Sequence, residues 1–133
     1  MTYRKFDTCT WRDPWFELLG KDAKLAFVYF WTNDYCNSAG IYEISDKRIT
    51  FDLGYGIDTV SEDLKEKVIW YPEESTIWVK NFFVHQCQNH TFAISALNSV
   101  KSDRFKYDIF LNYNINKLKE YKDKLNGHLP DGF

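Results

Sequence analysis

The segment Val68–Val79 constrains the fold most strongly, because it has the composition of a complete β-hairpin. Two runs of β-branched and aromatic residues flank Pro72–Ser75, four residues that are typical of a short turn. With these four residues as the loop, Tyr71 lies opposite Thr76, and the pairing continues outward in antiparallel register. The segment therefore predicts two paired strands.

Both faces of this hairpin are apolar. Since side chains alternate along a strand, the two runs divide into two sets. One face carries Val68, Trp70, Ile77 and Val79, and the other carries Ile69, Tyr71, Thr76 and Trp78. A solvated hairpin normally keeps one polar face, so a further element must cover the second face or a partner must bind it. The C-terminal helices are the expected cover, by folding back or by reaching a second subunit.

Composition narrows the class of protein. The chain has 133 residues, which favours one domain, and its net charge of −2 is unlike that of a strongly basic nucleic-acid binder. Its three cysteines, Cys9, Cys36 and Cys87, are widely spaced and odd in number, and no secretory leader is visible. These features favour a reducing cytoplasm. The longest apolar run, Leu25–Trp31, is too short to span a bilayer, so no membrane partner is expected.

Capping residues and apolar runs predict the elements before the hairpin. Asp13 and Pro14 form a helix-start signal, and a buried helix follows from Lys21 to about Thr32. A short strand over residues 40–44 precedes a helix that is capped by Ser45 and stopped by Gly54.

After that helix, the pattern predicts a turn and a second helix, with Asp58 as its cap and about Thr59–Lys67 as its extent. Helix, turn, helix and hairpin in this order predict a winged helix. Beyond the hairpin, Asn89–Ser102 has a helical apolar face, and Arg104–Leu125 reads as one long helix or two.

The predicted fold class is α+β and mostly helical, a winged helix-turn-helix of three core helices and a hairpin wing with additional C-terminal helices. The expected divisions are a winged-helix domain at 1–100, a helical extension at 101–125 that packs on the core or on a second subunit, and an irregular tail at 126–133.

Several stretches, in this order, carry a resemblance to a known family. They are Tyr3–Asp7 with Trp11, Asp22–Leu25, Gly40–Tyr42, Asp52–Gly54 and Ser75–Phe83 with His85, Gln86, Gln88 and Asn89. Over residues 3 to 100 the chain resembles the winged-helix N-terminal domain of phage and prophage replication proteins, the replisome organisers. The resemblance implies a phage or prophage origin, a location in the cytoplasm of a host bacterial cell, and binding of double-stranded DNA in replication or its control. The chain departs from the family in its acidic second helix, and it is expected to lack the interaction domain that follows in the family.

A helix-turn-helix places the start of its second helix in the major groove. Here the residues expected to contact DNA are Lys47, Arg48, Thr59, Ser61, Lys65 and Lys80. Lys47 and Arg48 would meet phosphates at the start of the preceding helix. Thr59, Ser61 and Lys65 would reach bases or phosphate, and Lys80 follows the wing.

Acidic residues dominate the same surface and support an alternative. They are Asp58, Glu62, Asp63, Glu66, Glu73 and Glu74, to which Tyr71 and Trp78 would add aromatic anchors. On this hypothesis the chain is a phage-encoded inhibitor that binds a basic host protein of a nucleic-acid machine, as an anti-CRISPR protein that imitates DNA charge would. A third possibility is a helical assembly partner, and a homodimer through the C-terminal helices is expected with the first hypothesis.

Other chemistry is disfavoured. His85, Cys87 and His90 resemble part of a zinc motif, but a closed site needs a fourth ligand at recognisable spacing. The cysteines and histidines form no nucleophile signature, and the segment 54–56 is a turn between helices rather than a phosphate-binding loop. The chain is therefore predicted to be no enzyme and to hold no metal or cofactor.

Overall fold

The computed structural model describes residues 2–130, which form seven α-helices and three β-strands. In chain order they are α1 (Pro14–Glu17), α2 (Lys21–Thr32), β1 (Ile41–Glu43), α3 (Asp46–Leu53), α4 (Ser61–Leu64), β2 (Val68–Tyr71), β3 (Thr76–Val79), α5 (Phe82–Gln86), α6 (His90–Val100) and α7 (Arg104–Lys119). Short 3-10 helices lie at Thr8–Arg12, Ile57–Thr59 and Lys122–Lys124. The predicted α+β, mostly helical class is confirmed.

The hairpin has the predicted register. Val68 pairs with Val79 and Tyr71 with Thr76 across β2 and β3. Strand β1 pairs antiparallel with the other side of β3, so the strand order in the sheet is β1-β3-β2. Strand β3 is therefore central, and its alternating side chains face opposite sides of the molecule.

Two hydrophobic cores lie on the two faces of this sheet. On one face, Ile77 and Val79 are buried with aromatic residues of α2 such as Phe30. On the other face, Trp78 packs against the core that α6 and α7 build around Phe110. The second apolar face of the hairpin is thus covered by helices of the same chain.

Two aromatic pairs cover part of the second face of the hairpin. The ring of Trp78 meets that of Tyr113 edge-on with centroids 5.0 Å apart, and Tyr71 meets Phe105 in the same way at 5.0 Å. Both partners lie on α7, so this helix contacts both strands of the hairpin. Edge-to-face pairs of this kind add about 0.5–1.5 kcal/mol beyond the area that they bury.

Helix boundaries follow the capping residues. Asp13 accepts hydrogen bonds from the backbone N–H groups of Trp15 and Phe16, and Ser45 accepts one from Arg48. Gly54 ends α3 in the left-handed region at φ +85°. Local side-chain chemistry therefore sets these ends, as the sequence predicts.

The predicted second helix is wrong in length. Instead of a helix over Thr59–Lys67, a 3-10 helix is followed by the single turn of α4, and Asp58 caps neither of them. Val60 separates the two at φ −124°, outside helical geometry. The turn after Leu64, where Lys67 donates to its carbonyl at 2.9 Å, then leads into β2.

The remaining differences lie after the hairpin. Helix α5 was not predicted, and Arg104–Leu125 proves to be one α-helix followed by a 3-10 turn. Asn114 does not break α7, because its side-chain amide donates to the carbonyl of Phe110 at 3.0 Å. Residues 126–130 of the predicted irregular tail form no helix or strand, and 131–133 lie outside the described residues. In the described part of the chain, no helix is long and apolar enough to cross a membrane.

Gly40 offers a test of how tightly the sheet meets α5. It has φ +74°, and a Cβ added there would lie 2.5 Å from Cβ of Phe82, which is buried. We expect Gly40→Ala to lower the unfolding free energy by about 2–4 kcal/mol, since backbone strain and overpacking add. The matched control Gly54→Ala has similar strain and an open site, so it should cost about 1–2 kcal/mol. Urea unfolding measures both, and equal losses would contradict the packing explanation.

Candidate interaction surface

Helix α3 presents the basic residues of the candidate surface. Its Ile49 is buried, whereas Lys47, Arg48 and Phe51 are exposed. The guanidinium of Arg48 lies 5.0 Å from the centre of the Phe51 ring and 3.3 Å from the carboxylate of Asp52. The exposed face of α3 therefore carries a cation stacked on an aromatic ring.

A hydrogen bond ties this helix to α2. The hydroxyl of Tyr29 donates to the second carboxylate oxygen of Asp52 at 2.6 Å. Burial of the ring, and then this hydrogen bond, raise the pKa of Tyr29. The hydroxyl therefore stays protonated at neutral pH, and Asp52 keeps one oxygen for Tyr29 and one for Arg48.

The predicted DNA-binding residues differ in their availability. Arg48 pairs with Asp52, Lys65 pairs with Glu62, and the ammonium of Lys80 lies 5.6 Å from the centre of the Trp78 ring. Lys47 and Thr59 are exposed and Ser61 is half-buried. Among these four cations, Lys47 is the one that makes no ion pair or ring contact within residues 2–130.

The acidic residues are the more accessible set. All six of the predicted carboxylate residues are exposed, namely Asp58, Glu62, Asp63, Glu66, Glu73 and Glu74. Between residues 43 and 74 the sequence carries nine carboxylates against four cations, a net charge of −5. This part of the surface is therefore negative at neutral pH.

The aromatic anchors of the acidic hypothesis are engaged within the chain. Tyr71 and Trp78 are half-buried against α7, so only part of each ring is accessible to a partner. The exposed aromatic residue here is Phe51, whose side chain is 77% accessible and which was not predicted. Its position is visible in the sequence, because a residue three after Arg48 shares that residue's face of a helix.

His85, Cys87 and His90, which resemble part of a zinc motif, do not form a metal site in the described part of the chain. In the described part of the chain, no three His, Cys, Asp or Glu side chains lie close enough together to hold a metal. His85 is exposed beside the Trp31 ring, and the buried thiol of Cys87 donates to the carbonyl of Asn89. His85 and Cys87 therefore contact other residues of the chain.

Whether Arg48 is available to a ligand depends on the strength of its pair with Asp52. The pair is exposed and spans one helical turn, so we expect a coupling free energy of about 0.3–0.5 kcal/mol. A double-mutant cycle on Arg48→Ala and Asp52→Ala measures it, with Arg104 and Asp108, an exposed pair of the same spacing on α7, as the matched control. A coupling above about 2 kcal/mol would mean that Arg48 is locked in place.

Comparison with known proteins adds no relative. No protein-family model, no curated protein and no solved structure matches this chain.

Proposed function

We propose that this chain is a winged-helix protein of phage or prophage origin that binds double-stranded DNA in replication or its control. The observation that carries the proposal is the order of its elements. Helix α2, strand β1, helices α3 and α4, and the hairpin β2–β3 follow one another, and the sheet order is β1-β3-β2. Three helices, of which α4 is a single turn, lie beside a three-stranded sheet that ends in a hairpin, and this order supports the proposal.

On this proposal α3 and the start of α4 face the DNA. Lys47 and Arg48 lie in the first turn of α3, where backbone N–H groups add positive potential for a phosphate. Thr59 and Ser61 lie at the approach to α4, within reach of base edges. An exposed ion pair is worth about 0–1 kcal/mol, so Arg48 and Lys65 exchange their carboxylates for phosphates at little cost.

Acidic neighbours set the strength of such binding. At physiological salt charges farther apart than about 8 Å are largely screened, so the carboxylates that matter are those beside the contact, chiefly Glu62 and Asp63. With three or four phosphate contacts, the logarithm of the affinity should fall with the logarithm of salt concentration with a slope of about −3.

The DNA proposal is tested by titrating duplex DNA at several salt concentrations. Lys47→Ala with Arg48→Ala should weaken binding and flatten the slope by about 2, because two phosphate contacts are lost. Lys119→Ala with Lys122→Ala, which removes two exposed cations near the end of α7, is the matched control and should leave the slope unchanged. Absence of duplex binding at about 50 mM salt would overturn the proposal.

The exposure of all six carboxylates favours a second candidate function. We propose as the alternative that this face binds a basic surface of a host protein, with Phe51 as the apolar contact beside the charges. An inhibitor that imitates the charge of DNA would have this combination. Complementary charge mainly raises the rate of association, so binding should weaken as salt rises.

The second candidate is tested by association with basic DNA-binding proteins of a bacterial host, measured in real time. Glu62→Gln, Asp63→Asn and Glu66→Gln together should slow association at least about tenfold, since steering depends on charge. Neutralising Asp108, Glu120 and Asp123 at the other end of the chain is the control for net charge. Equal effects of the two triple variants would contradict a specific acidic interface.

A further inference from the structure

Asn126 and Gly127 form the apex of a turn near the end of the described residues. The carbonyl of Leu125 accepts a hydrogen bond from the backbone N–H of His128 at 2.8 Å, which closes the turn. Gly127 has φ +92°, the left-handed conformation that the third position of a type II turn requires. None of the residues assigned above to DNA or protein binding belongs to this turn, so its chemistry does not depend on the proposed function.

Both ends of this turn are anchored, whereas its apex is open. Leu125 is fully buried in the core that α6 and α7 build, and Leu129 packs against the same core. Asn126 is exposed, and a Cβ added at Gly127 would meet no atom within 4 Å. The apex therefore has room to change shape while the turn stays attached to the core.

Hydrogen bonding also leaves the apex free. Within residues 2–130, neither the side-chain amide of Asn126 nor the backbone N–H of Gly127 makes a hydrogen bond. Since glycine has no Cβ, the peptide plane between these two residues can rotate without the steric barrier that a side chain would raise. The nitrogen of Gly127 can therefore approach the side-chain carbonyl carbon of Asn126.

We propose that Asn126 is a site of spontaneous deamidation through a cyclic imide. The backbone nitrogen of Gly127 loses its proton to solvent and attacks Cγ of Asn126. A new bond forms between this nitrogen and Cγ, the bond from Cγ to the side-chain nitrogen breaks, and that nitrogen leaves as ammonia. The product is a succinimide ring in the backbone.

Water then opens the ring at one of its two carbonyl carbons. Attack at Cγ restores the ordinary backbone and leaves an aspartate at position 126. Attack at the main-chain carbonyl carbon leaves an isoaspartate, in which the chain continues through the former side chain. Overall one water is consumed and one ammonia is released, so the reaction needs no oxidant, reductant or cofactor.

The two products change the turn in different ways. Each adds a carboxylate that is ionised at neutral pH, so the net charge of the chain falls from −2 to −3. Isoaspartate also adds one atom to the backbone between Leu125 and His128, and their hydrogen bond is lost. Leu129, which follows the turn, then loses its fixed position on the core.

Two other asparagines precede a small residue, but both lie in protected backbone. Asn98 and Ser99 belong to α6, beyond its first turn, where each backbone N–H is held by a helical hydrogen bond. Asn37, which precedes Ser38, has a side chain fixed by three hydrogen bonds to backbone groups of residues 39–41. Both asparagines are internal controls for the structural part of the inference.

The test compares the folded chain with the same chain unfolded in guanidinium chloride, both held for weeks in warm, mildly alkaline buffer. Trypsin cleavage after Lys124 releases a peptide that begins at Leu125 and contains Asn126 as its one asparagine. Mass spectrometry should show this peptide gaining the mass difference between an acid and an amide in the folded chain, at a rate close to that of the unfolded chain. The peptides that carry Asn37 and Asn98 should react in the unfolded chain alone.

A variant and a second readout identify the route. Asn126→Gln should abolish the mass gain, because its longer side chain would have to close a larger ring that forms more slowly. The aged folded chain should also become a substrate for isoaspartate methyltransferase, and the variant should not. Direct hydrolysis of the amide would give aspartate without isoaspartate and would contradict the cyclic imide.

The remaining outcomes decide the inference. Absence of a mass gain at Asn126 in the folded chain would overturn it, whether or not the unfolded chain reacts. Equal rates at Asn126 and Asn98 in the folded chain would overturn it as well, since the open turn would then make no difference. Lys47→Ala with Arg48→Ala should leave the rate at Asn126 unchanged, so failure of the DNA proposal does not affect this site.

Discussion

The structure depends on burial of both faces of strand β3. Ile77 and Val79 belong to the core that α2 helps to form, while Trp78 between them belongs to the core of α6 and α7. A two-stranded hairpin is marginal alone in water, and here three strands gain stability from helices on both sides. Because one short strand joins the two cores, helices on opposite sides of the sheet are expected to unfold together.

The parts of the fold that sequence could predict are those that local chemistry decides. The hairpin register follows from alternation and a turn, the starts of α1 and α3 follow from the caps Asp13 and Ser45, and the end of α3 follows from Gly54. The shortness of α4 and the existence of α5 could not be predicted in this way. They depend on the path that the chain must take around the buried residues Val60 and Phe82.

The features of the candidate sites also divide into those that the sequence could predict and those that it could not. The acidic character of residues 43–74 is a property of composition, so it was visible before the fold was known. The pairing of Arg48 with both Phe51 and Asp52, and the partial burial of Tyr71 and Trp78 against α7, depend on side-chain packing.

The backbone of Lys5 and the side-chain amide of Gln86 exchange two hydrogen bonds, at 3.0 and 2.5 Å, and this contact has a consequence for the order of folding. The two residues are 81 positions apart, and the segment that bears Lys5 belongs to no helix or strand. Closing so long a loop costs more entropy than closing the short loop of the hairpin, so this contact should form late. The N-terminal segment is therefore expected to dock after both cores have assembled and to detach first when the native protein fluctuates.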